Sequence, residues 1–206
     1  TTSLKRFGMP KIVDFEKRIE EICDLAYFTF IEVGVKNFSL NSFISSLKMS
    51  KGQFYSYFNT KEDLVFEVVK RKSYKLIEHA KDEIAKQTSF RDKLFKFFTR
   101  HIDDVGQAHQ MCNKIINDVL HMYLNTTNPQ IRKFNEEIYA VMFEIIDKIF
   151  EDEIIKKGLP QEYKKHARIA MAVSDGMYLQ SLILRDYDVK NEFENYLNYI
   201  VKIFEG

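Results

Sequence analysis

The chain has 206 residues with seven glycines and three prolines, and 45% of it is apolar, including eighteen Phe, eleven Tyr and no Trp. That composition excludes a disordered polymer and a turn-rich β-sandwich, and favours one large or two small domains of long helices. The formal charge of +1 decides nothing about nucleic acid, although residues 1–61 hold nine Lys/Arg against six Asp/Glu and the rest 22 against 24.

Residues 1–11, with Lys5, Arg6 and Gly8, show no periodicity and are expected to form a mobile arm. A first helix is predicted from about residue 12 to 33, with Ile19, Ile22, Cys23, Ala26 and Phe30 as its inner stripe and Gly34 as its left-handed stop. Ser39 then caps a short helix whose apolar face is Leu40, Phe43, Ile44 and Leu47, with Phe38 and Phe43 placed as a hydrophobic staple. A third helix restarts at once, because Ser50 and Gln53 read as a capping box. Two short helices joined by about three residues form a helix-turn-helix. Asn59 or Thr60, followed by Glu62 and Asp63, opens a helix to about residue 87 that could span about 40 Å.

Beyond it, breaks at 88–89, Gly106, 125–129, 157–160 and 185–188 delimit helices near 90–105, 108–125, 129–156, 161–184 and 190–204. Pro129 and Pro160 each suit a first helical position. The fold class is therefore all-α, about nine helices, with a helix-turn-helix head at 12–62 and a helical body at 63–206.

In such a head the start of the second helix meets base edges while its neighbours hold phosphates. Lys51 and Gln53 are long donors in that first turn, and Gly52 removes a side chain that would hold the backbone away from DNA. Tyr55, Tyr57 and Lys61 leave the Phe54/Phe58 stripe and can donate to phosphate oxygens, while the helix start at Ser50 favours an anion. Ser39, Ser50, Lys51, Gly52, Gln53, Tyr55, Tyr57 and Lys61 are thus the candidate DNA contacts. Any one of them alone also fits a solvated helix surface; the set is what points to DNA.

The run from Ala26 through Phe30, Gly34, Ser39, Phe43, Ser50, Lys51, Gly52, Tyr55, Tyr57 and Lys61 to Leu64 resembles the DNA-binding head of the tetracycline-repressor (TetR) family. The "AVSDGMYLQSLI" stretch at 172–183 is similar to a dimer-forming helix of that family. Where the family has a small Ala-Gly pair at the turn, this chain has Leu47-Lys48, so Lys48 must adopt a glycine-like backbone or the turn must differ. The resemblance implies a cytoplasmic homodimeric repressor that binds a palindromic operator and responds to a small effector in its body.

For the effector, polar residues on apolar helices mark a pocket: His101, Asn113, Asn117, Tyr123 and Asp175, with Phe97, Met122, Met142, Phe143 and Ile146 as walls for an apolar molecule. For the dimer, Ala167, Ala170, Met171, Ser174 and Tyr178 on one helix and Phe193, Leu197 and Ile200 on the next could build a four-helix interface. The same stripes could instead pack inside one chain.

Enzyme chemistry finds little support. Asp118 and His121 have a helical metal-ligand spacing, but the second copy that a di-metal bundle needs is absent from the sequence, as are G-x-S-x-G, H-E-x-x-H and a phosphate-binding glycine loop. No cofactor and no metal are expected. Cys23 and Cys112 lack ligand spacing and read as buried reduced thiols. With no apolar run of about eighteen residues and no leader pattern, a cytoplasmic protein is expected, away from membranes. A helical ligand- or partner-binding protein that no longer reads DNA is the competing reading.

Overall fold

The structure, a computed structural model, describes residues 12–99, 115, 118–120 and 127–205. His101, Asn113, Asn117, Met122 and Tyr123, with Cys112 and His121, lie outside the described residues. The described chain is all-α: α1 (Ile12–Val33), α2 (Leu40–Ser46), α3 (Lys51–Tyr55), α4 (Lys61–Ala85), α5 (Phe90–Thr99), α6 (Pro129–Lys157), a 3-10 turn (Gln161–Lys164), α7 (Lys165–Ile183) and α8 (Val189–Glu205). It divides into two compact units, with the boundary inside α4 between Lys70 and Arg71.

The first unit is held by aromatic packing. Ile22, Cys23, Ala26 and Phe30 of α1 are buried, as are Phe43 and Ile44 of α2, Phe54 of α3, Phe58 after it, and Leu64, Val65 and Val68 of α4. Phe38 joins these elements, lying edge-on to Phe30 at 4.7 Å and 5.2 Å from Phe43, so the staple forms as its spacing requires. At the end of α1, Gly34 takes φ 80° and its N–H donates to the Phe30 carbonyl at 2.9 Å. Thr60 rather than Asn59 starts α4: its hydroxyl accepts from the Asp63 N–H at 3.0 Å while Asp63 accepts from the Thr60 N–H at 3.1 Å.

The second unit is a helical bundle in which α8 lies against α5 and α7, and α6 against α5 and α7. Its centre is a knot of three rings from three helices: Phe90, Phe150 and Phe204, with centroids 4.9 to 5.3 Å apart. Asn128 caps α6 ahead of Pro129, and Gly158 closes it at φ 63°. Pro160 stands one place earlier than expected. It precedes a 3-10 turn, and the α-helix proper begins at Lys165. Glu153, buried among apolar side chains, is met by Lys157 at 3.4 Å and Lys156 at 3.6 Å. Lys157 also donates to the Phe204 carbonyl at 2.8 Å, tying the end of α6 to the end of α8.

The helix stripes named for the dimer face pack inside one chain, the alternative that the sequence left open. Ala167, Ala170, Leu197 and Ile200 are 0 to 1% exposed, and Met171 and Phe193 no more than 3%. They are core residues of their own chain. Ser174 and Tyr178 are only half-buried.

Candidate nucleic-acid interface

Local hydrogen bonding builds the helix-turn-helix. Ser39 accepts from the Ser42 N–H at 3.4 Å and caps α2, which ends at Leu47, whose N–H donates to the Phe43 carbonyl at 3.1 Å. Lys48 follows in the left-handed conformation, φ 52°, its N–H donating to the Ser45 carbonyl at 3.1 Å. It occupies the place that glycine fills after α1 and α6. For a residue with a side chain this conformation costs about 1–2 kcal/mol, and the cap and buried aromatics on either side hold it there.

Ser50 then opens α3 with both halves of the capping box. Its hydroxyl accepts from the Gln53 N–H at 3.1 Å, and its own N–H donates to Gln53 Oε1 at 2.9 Å. Phe54 is fully buried and anchors the inner side of the helix.

The outer side carries most of the candidate contacts. Ser39, Ser50, Lys51, Gly52, Gln53 and Tyr55 are exposed, and Tyr55 keeps 44% of its surface in solvent. A methyl group added at Gly52 would meet nothing within 4 Å, and its backbone is not left-handed. The fold therefore gives no internal reason for glycine there, although glycine lowers helix stability. Residues 33–61 contain four lysines and no acidic residue, so this surface is uniformly positive.

Three candidates are less available than their spacing suggests. Gln53 uses its carbonyl oxygen in the cap, which leaves only its amide N–H groups outward. Tyr57 is half-buried and stacks on Phe15 at 4.8 Å. Lys61 turns inward: Nζ donates to the Phe38 carbonyl at 2.9 Å and lies 5.5 Å from the Phe38 ring centre. One of its three donors thus braces the loop before α2, and the other two remain for an anion.

In the second unit, five of the expected pocket residues are described: Phe97, Met142, Phe143, Ile146 and Asp175. Phe97 and Ile146 are close-packed core, with Met142 and Phe143 at its edge. The Phe143 ring is covered by the Arg168 guanidinium, 3.8 Å from its centre, and Arg168 is held by both oxygens of Asp147 at 2.7 and 3.2 Å. Asp175 accepts from the Tyr139 hydroxyl at 2.9 Å. Desolvation, then the neighbouring carboxylate, pushes the Tyr139 hydroxyl up to about 12, and desolvation raises Asp175.

One apolar surface runs along the stretch that resembles a dimer-forming helix, through residues not singled out as candidate contacts. Along α7, Ile169, Ala172, Gly176, Leu179 and Ile183 recur at three- and four-residue steps and face outward, with Ile183 70% exposed. Tyr199 of α8 is 61% exposed. Its signal was present, since Ala172 and Gly176 sit in a helical stripe as small as that of Ala167 and Ala170. Periodicity alone could not tell which of two stripes faces the core.

A family model for bacterial regulatory proteins of the tetR family matches residues 22–68, the stretch that holds the caps, the turn and the positive surface. The chain is a DNA-binding transcriptional regulator whose residues 22–68 match the tetR family. An HTH-type transcriptional regulator of Staphylococcus aureus is 26% identical over 195 residues, 91% of each chain. Among solved structures, a transcriptional regulator from Saccharomonospora viridis in complex with choline superposes with a TM-score of 0.72 at 19% identity, covering 91% of this chain and 96% of that one. The regulator FadR from Bacillus subtilis in complex with stearoyl-CoA gives a TM-score of 0.62 at 20% identity over 88% and 97%. These two share the fold. Among the described residues of this regulator, no group of three or more metal-ligating side chains occurs and no helix is long and apolar enough to cross a membrane.

Proposed function

We propose that this regulator is a homodimeric, effector-controlled repressor that reads a near-palindromic site through two copies of residues 39–61. The observation that carries the reading is the outer side of α3, where Lys51, Gly52, Gln53 and Tyr55 are exposed on a helix locked by a capping box. An acid-free stretch suits phosphate, and a short helix presented by its first turn suits the major groove. Two-fold symmetry then sets the recognition helices about one DNA turn apart, roughly 34–36 Å.

The partner copy docks on the Ile169–Ile183 stripe of α7 together with Tyr199, where Ala172 and Gly176 admit close helix approach. The effector belongs to the second unit. The S. viridis and B. subtilis regulators hold a ligand, and a bound molecule that favours one conformation changes DNA affinity by its differential binding, typically about 1–3 kcal/mol. The chain works in the cytoplasm, where its DNA is.

The test is selection of bound fragments from the source genome, with the double variant Lys51→Ala/Tyr55→Phe alongside. Both residues are exposed, so the variant should fold as the wild type does. Enrichment of one symmetric site by the wild type, lost in the variant, is the expected result. No enrichment by folded dimer at low salt would leave the chain as a helical ligand-binding protein without an operator.

A further inference from the structure

The second unit contains a pocket of about 320 Å³ between α4, α5 and α6, lined by none of the described residues the sequence suggested. Its floor is apolar: Ile84 and Ala85 from the end of α4, Ile145 and Ile149 from α6. Ile84 and Ile149 belong to the core, so the floor is the outer surface of a packed layer. At ~30 Å³ for each water-sized group, the space holds about ten such groups. That is a small ligand by the usual range of about 300–1,000 Å³.

The rim decides what kind. Lys81, Lys93 and Lys148 surround the floor, with Glu144 and Asp152 as the acidic lining residues, an excess of one positive charge. Asp152 stands 3.7 Å from Lys148 and 3.9 Å from Lys93, beyond hydrogen-bond range for both. Lys81 holds Glu78 at 2.9 Å in an exposed pair, which is a weak attachment. All three ammonium groups can therefore turn to an incoming anion with little loss. An apolar floor under a cationic rim fits neither a bare inorganic anion, which gains nothing from isoleucine, nor a cationic amphiphile, which meets three lysines.

We propose that this pocket binds a medium-chain carboxylate, tail on the isoleucine floor and carboxylate among Lys81, Lys93 and Lys148. The proposal is separate from operator reading, because occupancy is measured on the protein without DNA.

Octanoate, with ten heavy atoms, is the probe. Calorimetry and amide shift mapping on the full chain should give saturable binding at one site per chain, with shifts centred on residues 81–85 and 144–152. Octanol and octylammonium should bind at least tenfold more weakly. Ala85→Trp, at an exposed position, fills the pocket and should abolish binding. Lys81→Glu/Lys148→Glu, changing side chains 42% and 78% exposed, should weaken it at least tenfold. Absence of saturable binding to the wild type overturns the proposal. So does equal affinity for the neutral or cationic probe, or undiminished binding by the charge-reversed variant with its helicity intact.

Discussion

Gly52 is the residue whose chemistry is hardest to explain from inside the molecule. It has an ordinary helical backbone and open space where a methyl group would go. Gly52→Ala should therefore raise the stability of the first unit by up to about 1 kcal/mol, read as a higher denaturant midpoint at unchanged slope. The same substitution should weaken operator binding, because in the proposed reading the methyl group would stand where the backbone meets DNA. Equal affinity for wild type and variant would remove close approach as the reason for glycine. Lys48 is the opposite case. Its turn demands a left-handed backbone and the sequence supplies a lysine, which the flanking caps hold at φ 52°.

At the scale of elements, α7 presents a core side and an outer side with the same spacing and similar residues. Leu179→Glu/Ile183→Glu alters the outer side alone, at positions 47% and 70% exposed. Sedimentation should show a folded monomer where the wild type is a dimer; a persistent dimer would place the interface elsewhere. Most elements were legible in the sequence because their ends are chemically marked. Ser39, the Ser50/Gln53 box, Gly34 and Asn128-Pro129 each satisfy backbone groups that a helix end leaves open. The candidate contacts were legible as a surface, since they step away from Phe54 and Phe58. The inward turn of Lys61 was not, because its partner is the Phe38 carbonyl, twenty-three residues away and invisible to periodicity. Which way the Ala167/Ala170 stripe faces was illegible for a related reason. Facing is set by α6 and α8, and none of that tertiary choice is written in α7 itself.

For the whole molecule, a formal charge of +1 conceals its organisation. Every charge between residues 33 and 61 is positive, so attraction to DNA is local to one surface. Operator affinity should fall linearly with salt on logarithmic axes, with a slope of about −0.9 for each phosphate neutralised. Removing Lys51 from both heads of a dimer should flatten that slope by about two, measured by anisotropy across a salt series. A slope unchanged by Lys51→Ala would mean that this lysine touches no phosphate. A residual affinity independent of salt would locate the binding energy in base contacts rather than in the positive surface.

The open position at Gly52 also bears on descent. Where the fold does not require glycine, the proposed target does, and without it mutation would replace the glycine with residues that make a firmer helix. A lineage that abandoned its operator while keeping its body would be released from that constraint. Residue 52 would then drift towards alanine long before the buried phenylalanines changed, making it an early marker of which descendants still read DNA.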